Sequence, residues 1–347
     1  MKNEKVAVAE DYAGKPYTTI VGLDVANSTI KAWTDKDNYV RYRNTVKIIN
    51  DSGLVYSFKT NYQMYVYNKE VYEVGDIAAM GSGGRGKSRY NSDSFKIEAL
   101  IGITSVLNRT DRVEKIRLVT GVPSSLAKNV TLIEDMKKRL VGKHNIKSVT
   151  WDKVEDITFE IVEVIVVPQP LGTLYNYVYD KKTGELNHKL LDQRALVVDI
   201  GWGTLDLAIL ESSRVRSTFG FEIGTSDYMF ALQEEVNTKY PEANIYALNP
   251  HQLDLALIGS YIVETPFGQF DLESIAESHK QIQANRVYEA IMGLGIEYNK
   301  LFKIIITGGG AILYEKYLRK LFNDQRMVIQ EDAIMANVHG FYLLGKF

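Results

Sequence analysis

The sequence contains one strand–turn–strand pattern twice, and this repeat limits the possible folds more than any other feature. The clearer copy is Ala195–Leu210, ALVVDIGWGTLDLAIL, in which an apolar run ends at Asp199 and a glycine-rich turn leads into a second apolar run. The earlier copy, Ile20–Trp33 (IVGLDVANSTIKAW), aligns with it without a gap. Apolar runs joined by such turns are typical of β-hairpins. The repeat therefore predicts a duplicated fold that holds something small and charged between its copies.

The turns carry residue types that suit phosphate groups. Four aligned pairs define them: Asp24 with Asp199, Ala26 with Gly201, Thr29 with Thr204, and Lys31 with Asp206. Consecutive N–H groups in such a turn form a concavity for phosphate oxygens. A lysine beside it adds a positive charge, and a carboxylate can hold Mg²⁺ through water. One aspartate at a strand end is usually only a turn former, so the interpretation depends on both copies.

Composition excludes several classes of protein. The chain has 347 residues, 45% hydrophobic and 24% charged, which is ordinary for a soluble protein and long enough for two domains. The formal charge of −2 argues against direct DNA binding, and the absence of cysteine excludes disulfides and thiolate metal sites. We find neither the apolar core of a signal peptide nor a run long enough to cross a membrane. A cytoplasmic protein without membrane contact is expected.

A second phosphate-binding pattern offers an alternative site. Gly81–Ser88, GSGGRGKS, matches the P-loop pattern G-x-x-x-x-G-K-[ST]. That pattern requires a buried strand directly before it and a helix that begins at the Lys-Ser pair. The preceding EVGDIAAM predicts a short helical or irregular piece, and RYNSDS delays the next helix to about Asp93. A flexible glycine-rich loop is the favoured interpretation, and a P-loop NTPase remains an alternative.

Three further stretches place polar or glycine residues where a strand meets a helix. Gln169 lies in the Pro-Gln-Pro turn between a predicted strand, Ile157–Val167, and a predicted helix. Gly224 begins another predicted helix. The N–H groups at the start of this helix could bind an anion, or the side chain of Thr225 or Ser226 could cap them. Gly308, Gly309 and Gly310 follow the strand Ile304–Thr307 and allow close approach of a flat ligand.

Taken in order, these motifs resemble the actin/Hsp70/sugar-kinase ATPase fold. The resemblance covers nearly the whole chain from about residue 18. It implies an α/β fold of two duplicated ribonuclease H-like (actin-like) domains, with a central nucleotide cleft and small inserted subdomains. The implied division is an N-terminal arm (1–17), domain I (18–180, with an insertion at about 39–89 and completion by a C-terminal helix at 331–347), and domain II (181–330, with an insertion at about 238–283).

The resemblance also assigns roles to the motif residues. It implies that Asp24 and Asp199 lie towards Mg²⁺ as metal-site and catalytic carboxylates, and that Gln169 orients the attacking water. It implies nucleotide binding by the remaining motif residues: Asn27, Ser28, Thr29, Lys31, Gly201, Trp202, Gly203, Thr204, Gly224, Gly308, Gly309 and Gly310. Two residues depart from the usual pattern of this family, because Ala26 stands where glycine is usual and Trp202 stands where glycine or a small residue is common.

Within that superfamily, NSDSFKIEAL and NVHGFYLLG look most like the bacterial ParM/StbA plasmid-segregation actins. The resemblance implies an ATPase that uses ATP (alternatively GTP) and Mg²⁺ and polymerises into filaments that segregate plasmid or phage DNA. Hydrolysis would then drive disassembly. The implied partners are further copies of the chain and a DNA-binding adaptor of the ParR type. A small-molecule (sugar-type) kinase and a nucleotide-locked binding scaffold are the alternatives on the same fold.

Overall fold

The chain forms two compact units in the computed structural model. The structure describes residues 15–35, 38–48, 63–74, 87–107, 112–150, 153–212, 214–244 and 261–347. The first unit comprises Met1–Asn187 together with Met335–Phe347, and the second comprises His188–Ile334. The C-terminal segment thus returns to the first unit.

The strands of the described residues follow the chain in this order: β1 Thr19–Val25, β2 Thr29–Thr34, β3 Asn38–Arg43, β4 Lys47–Ile48, β5 Gln63–Tyr67, β6 Glu70–Val74, β7 Glu114–Val122, β8 Gly142–Val149, β9 Val154–Pro168, β10 Tyr179–Asp180, β11 Glu185–Leu186, β12 Ala195–Ile200, β13 Leu205–Glu211, β14 Arg214–Phe221, β15 Ile262–Thr265, β16 Gly268–Asp271, β17 Lys303–Thr307 and β18 Met327–Ile329.

The α-helices are α1 Asp93–Val106, α2 Val130–Leu140, α3 Gln169–Val178, α4 His188–Leu191, α5 Thr225–Lys239, α6 Glu273–Met292, α7 Gly309–Leu313, α8 Glu315–Phe322 and α9 Ala336–Lys346. Short 3₁₀ helices span Lys87–Asn91, Pro241–Ala243 and Tyr298–Lys300. None of the helices in the described ranges has the length and apolar content that a bilayer crossing requires.

The same five-stranded arrangement occurs once in each unit. In the first unit the order β3-β2-β1-β7-β9 has antiparallel pairs up to β1 and parallel pairs from β1 to β9. In the second unit the order β14-β13-β12-β17-β18 repeats these directions. Each hairpin of the sequence repeat therefore supplies the first two strands of its unit, and the predicted duplicated α/β fold is confirmed.

Strand β1 is covered on both faces, which explains its nearly continuous apolar sequence. Val21, Leu23 and Val25 belong to the main core of the first unit, which includes α1. Ile20 belongs to a smaller cluster with residues of α9. Because side chains alternate along a strand, one short run serves both cores.

Helix α9 packs very closely on α3 and on β1. A Cβ added to Gly340 would lie 1.7 Å from the carbonyl oxygen of Gly172, and one added to Gly22 would lie 2.3 Å from the carbonyl oxygen of Val338. Gly340 of α9 and Gly22 of β1 are therefore required by close contact with backbone atoms. A hydrogen bond from Thr173 Oγ1 to Asn337 Oδ1 (2.6 Å) also joins α3 and α9.

The strands of the first predicted insertion belong to the sheet of the first unit. Within about 39–89, β3 belongs to the five-stranded core, and β5, β6 and β4 extend the same sheet beyond β8 to nine strands. The long strand β9 makes this possible, because its first half pairs with β8 and its second half with β7. Strands β3, β4, β5 and β6 therefore all form part of one nine-stranded sheet.

The other predicted segments have different outcomes. Residues 1–14 of the predicted arm lie outside the described residues, whereas Tyr17 is buried against the first unit. In the second unit, residues 245–260 lie outside the described part, and β15 and β16 form a separate two-stranded sheet. Helix α6 begins at Glu273, directly after that hairpin.

Candidate functional site

The first hairpin presents a buried ion pair beside its turn. Asp24 in β1 lies opposite Lys31 in β2, and Lys31 Nζ donates to Asp24 Oδ2 at 2.8 Å. Asp24 is 2% exposed, and its other oxygen, Oδ1, has no hydrogen-bond partner among the described residues. One oxygen of this carboxylate is thus held by the lysine while the other keeps its capacity to accept a proton donor or a cation.

The second hairpin places two carboxylates at the same positions. Asp199 in β12 lies directly opposite Asp206 in β13. Both are buried, and Thr204 Oγ1 donates to Asp206 Oδ2 at 2.8 Å. Like charges on facing positions repel each other in a sheet, so this pair favours a cation nearby. The two hairpins thus share their strand register but differ in charge, because Asp24 faces a lysine whereas Asp199 faces a second aspartate.

The two turns have the same internal geometry. The N–H of Ala26 donates to the carbonyl of Thr29 at 2.9 Å, and the N–H of Gly201 donates to that of Thr204 at 2.9 Å. The next two N–H groups in each turn have no hydrogen-bond partner among the described residues; they belong to Asn27 and Ser28, and to Trp202 and Gly203. Free consecutive N–H groups in a tight turn are what a phosphate oxygen requires.

The structure explains both departures from the usual glycine pattern. Ala26 has no positive φ, so its Cβ causes no backbone strain. Trp202 packs its side chain against the core of the second unit, and its carbonyl accepts the N–H of Ser226 at 2.8 Å. The tryptophan therefore anchors the turn through its ring, while its N–H group remains free.

Helix α5 supports the second turn through its N-terminus. The N–H of Thr225 donates to the carbonyl of Gly201 at 3.0 Å, next to the bond from Ser226. A Cβ on Gly224 would lie 2.2 Å from the carbonyl oxygen of Trp202, so only glycine permits this approach. The N–H groups of Thr225 and Ser226, which were candidates for binding an anion, thus donate to backbone carbonyls of the protein.

The three glycines after β17 have different structural reasons. Gly308 has φ 85°, and a Cβ there would lie 2.5 Å from Asp199 Oδ1. A Cβ on Gly310 would lie 2.2 Å from Ile200 Cγ2, whereas Gly309 faces open space. Close packing on β12 therefore requires glycine at Gly308 and Gly310, whereas a side chain at Gly309 would meet open space.

The candidate residues of each unit meet at one edge of its sheet. In the first unit, Asp24 lies near the carboxyl end of β1, and Gln169 follows the carboxyl end of β9 as the first residue of α3. In the second unit, Asp199 and Thr307 face each other near the carboxyl ends of parallel strands β12 and β17. Ligands of open α/β sheets bind at this edge.

The P-loop alternative finds no support in the described residues. Residues 81–86 of the pattern lie outside them. The chain from Lys87 to Asn91 is a 3₁₀ helix, and α1 begins only at Asp93, where the Ser92 side chain accepts the N–H of Phe95 at 3.1 Å. A P-loop needs an α-helix that begins at its Lys-Ser pair.

A polar cluster on α6 was missed by the sequence analysis. Glu277 accepts hydrogen bonds from Tyr261, Lys280, Lys316 and Tyr317 at 2.8–3.2 Å. Burial alone would raise the pKa of Glu277, but these donors outweigh it and lower the pKa to about 2. The Glu and Lys three residues apart on one helix were the only signal, and helix surfaces often carry such pairs.

The hairpin residues supply too few ligands to hold a divalent cation by themselves, so a cation there would need further oxygen ligands from a bound anion and from water. The described residues contain no group of three or more histidine, aspartate or glutamate side chains that could hold a metal. Mg²⁺ usually binds to one or two carboxylates and to substrate phosphates, and it keeps several waters. The unpartnered oxygen of Asp24 in the first unit suits such a cation, and so does the facing pair Asp199 and Asp206 in the second unit.

Comparisons with known proteins agree with this geometry. Residues 22–172 match the family model for the N-terminal domain of actin-like proteins. The archaeal actin homologue Ta0583 superposes with a TM-score of 0.77 at 17% identity, over 94% of this chain and 99% of that chain. Its complex with ADP gives a TM-score of 0.74 at 18% identity over the same shares of the two chains. No curated protein sequence matches the chain.

ParM proteins are also among the similar structures, and one of them was solved as a filament. A ParM subunit from a 15-stranded filament of Clostridium botulinum gives a TM-score of 0.75 at 18% identity, over 94% of this chain and 99% of that chain. The apo ParM protein of psk41 gives 0.68 at 20% identity, over 94% and 97%.

These matches show that the chain has the actin-like fold. Within that class, it is similar to ParM proteins and to an archaeal actin homologue, and the predicted resemblance is confirmed.

Proposed function

We propose that this chain is an ATP-binding actin-like protein of the ParM type, which hydrolyses ATP and assembles into filaments. The observation that carries the proposal is the repeated turn. Each unit supplies one hairpin with two free N–H groups, preceded by a buried aspartate at the same register position. The ADP complex of a protein with the same fold supports a nucleotide as the ligand.

The two hairpins would contribute different chemistry to phosphate binding. Lys31 supplies a positive charge beside the first turn, where it would approach the terminal phosphates. Asp199 and Asp206 supply negative charge beside the second turn, where Mg²⁺, when bound, would offset the charge of the phosphates. The hydroxyls of Ser28 and Thr29 add donors at the first turn. This division explains why the hairpins differ most at Lys31 and Asp206.

Hydrolysis would depend on the positioning of a water molecule. Gln169 is half-buried at the start of α3, and a Cβ on the neighbouring Gly121 would lie 2.9 Å from its Cγ. The absence of a side chain at Gly121 therefore leaves the space that the Gln169 side chain occupies. We assign to Gln169 the role of orienting the attacking water, since phosphoryl transfer is catalysed mainly by positioning and charge.

The similarity to ParM filaments supports self-assembly as the output of nucleotide binding. Head-to-tail contacts that do not close into a ring would produce a filament. We propose that the filaments act in the cytoplasm, that they segregate plasmid or phage DNA through a ParR-type adaptor, and that hydrolysis of ATP drives their disassembly.

Nucleotide-dependent sedimentation tests this proposal. With Mg²⁺ and ATP, or a non-hydrolysable ATP analogue, we expect most of the protein in the pellet as filaments visible by electron microscopy. With ADP or without nucleotide, we expect it in the supernatant, and GTP in a parallel sample gives the base preference. A monomer under all these conditions that transfers phosphate to a sugar would contradict the proposal and support the kinase alternative.

A further inference from the structure

A buried ion pair lies directly behind the first turn. Arg89 Nη2 and Glu98 Oε2 are 2.5 Å apart, and the two side chains are 2% and 3% exposed. Arg89 comes from the 3₁₀ helix Lys87–Asn91, and Glu98 comes from α1. Neither residue belongs to the phosphate motifs.

Side chains of this region donate hydrogen bonds to backbone carbonyls of the first turn. Arg89 Nη1 donates to the carbonyl of Val25 at 2.9 Å, and Nη2 donates to that of Ala26 at 3.2 Å. Asn44 Nδ2 donates both to the carbonyl of Ala26 at 2.8 Å and to Glu98 Oε2 at 3.1 Å. The N–H of Asn44 also donates to the carbonyl of Ser28 at 2.9 Å. We call Arg89, Glu98 and Asn44 the carbonyl clamp.

In the second turn, backbone N–H groups of a helix bind the carbonyls. Ala26 aligns with Gly201, whose carbonyl accepts the N–H of Thr225 at the start of α5. A helix end therefore binds the carbonyls of one turn, and buried side chains bind those of the other. The two turns have the same internal hydrogen bond. In both of them, backbone carbonyls also accept hydrogen bonds from groups outside the turn, so we infer that this turn geometry requires such donors.

A contribution to stability alone is a poor explanation of the clamp. Removing two charges from water is costly, and apolar residues of similar volume often replace a buried ion pair without loss of stability. Apolar residues cannot donate to carbonyl oxygens, however. A carbonyl held from behind directs the N–H groups of the turn to the opposite side, and it keeps a partial negative charge away from an anion.

We propose that the carbonyl clamp is a positioning device that orders the first turn, so that the N–H groups of Asn27 and Ser28 meet the phosphates of the nucleotide. The ordering of the turn follows from the contacts above, whereas its effect on phosphates rests on the proposed function. The clamp residues would not touch the nucleotide themselves.

The test replaces the clamp pair by apolar residues of similar size, Arg89→Met with Glu98→Leu. Arg139→Met is the matched control, since Arg139 pairs with Asp93 at an exposed site (2.9 Å). Three measurements are compared with the unchanged protein: amide hydrogen exchange at Ala26 and Asn44 without nucleotide, affinity for ATP, and affinity for adenosine. We expect exchange at least tenfold faster and ATP affinity at least tenfold lower in the clamp variant. Adenosine affinity should be unchanged, as should all values in the control.

The outcomes separate the clamp from the proposed function. If the clamp variant folds and its amide hydrogen exchange and its ATP affinity are both unchanged, the proposal that the clamp orders the first turn is wrong. An equal loss of ATP and adenosine affinity would overturn positioning of the phosphates and indicate a general structural role. If the unchanged protein binds no ATP while exchange still accelerates in the variant, the proposed function fails and the ordering of the turn stands. Arg89→Lys keeps a charge for Glu98 but loses the fork to two carbonyls, so it provides the same readouts if the double variant does not fold.

Discussion

Replacement of Asp199 by asparagine should lower ATP turnover at least about 100-fold, a loss typical of removing one group that stabilises charge in a transition state. The free energy of unfolding should stay the same or rise by up to about 1 kcal/mol, because the substitution removes the repulsion between Asp199 and Asp206 on facing strand positions. Phosphate release and urea unfolding measure the two effects. Opposite changes in activity and stability would identify Asp199 as a site residue.

Lys87→Ala is the control for this variant. If the hairpins bind the phosphates, its ATP turnover should remain within about twofold of the unchanged protein, as is usual for residues away from the chemistry. If a P-loop at Gly81–Ser88 were the site, Lys87→Ala would abolish turnover and Asp199→Asn would have the smaller effect. The comparison thus decides between the two phosphate-binding patterns in the sequence.

Gly340→Ala should destabilise the protein by about 3 kcal/mol, at the upper end of the range for overpacked sites. The new Cβ would lie 1.7 Å from the carbonyl oxygen of Gly172, and backbone cannot move aside as a flexible side chain can. Helices α3 and α9 would have to separate. Chemical unfolding monitored by tryptophan fluorescence gives the change.

Gly309→Ala is the matched control for stability. Gly309 lies in helix α7, and an added Cβ meets nothing within 4 Å. Alanine is favoured over glycine in a helix by about 0.5–1 kcal/mol, so this variant should be as stable as the unchanged protein or slightly more stable. Equal destabilisation by both substitutions would contradict the close approach of α3 and α9.

The duplicated architecture was predictable because it depends on local patterns. Each hairpin has two apolar strands and a short turn, and a gapless alignment of two such units is visible without tertiary information. The strand-to-helix transitions at Gln169 and Gly308 were equally local. The aspartates could be placed because both lie at a strand end.

The remainder depends on contacts between distant parts of the chain. The extension of the first sheet requires β5 to pair with β8, and no short-range signal specifies that pairing. The close packing of Gly308 and Gly310 on β12 could not be predicted either, because it depends on a strand that is distant in the sequence. Arg89 and Glu98 carried no recognisable pattern, since a charged pair next to a loop usually faces solvent and here it is buried by α1 and the turn.

A crystal structure with Mg²⁺ and a non-hydrolysable ATP analogue tests the central claim most directly. We predict that phosphate oxygens accept hydrogen bonds from the N–H groups of Asn27 and Ser28 and from those of Trp202 and Gly203, with Lys31 at the terminal phosphates. Phosphates bound at Gly81–Ser88, with both hairpin turns free of the nucleotide, would contradict the account.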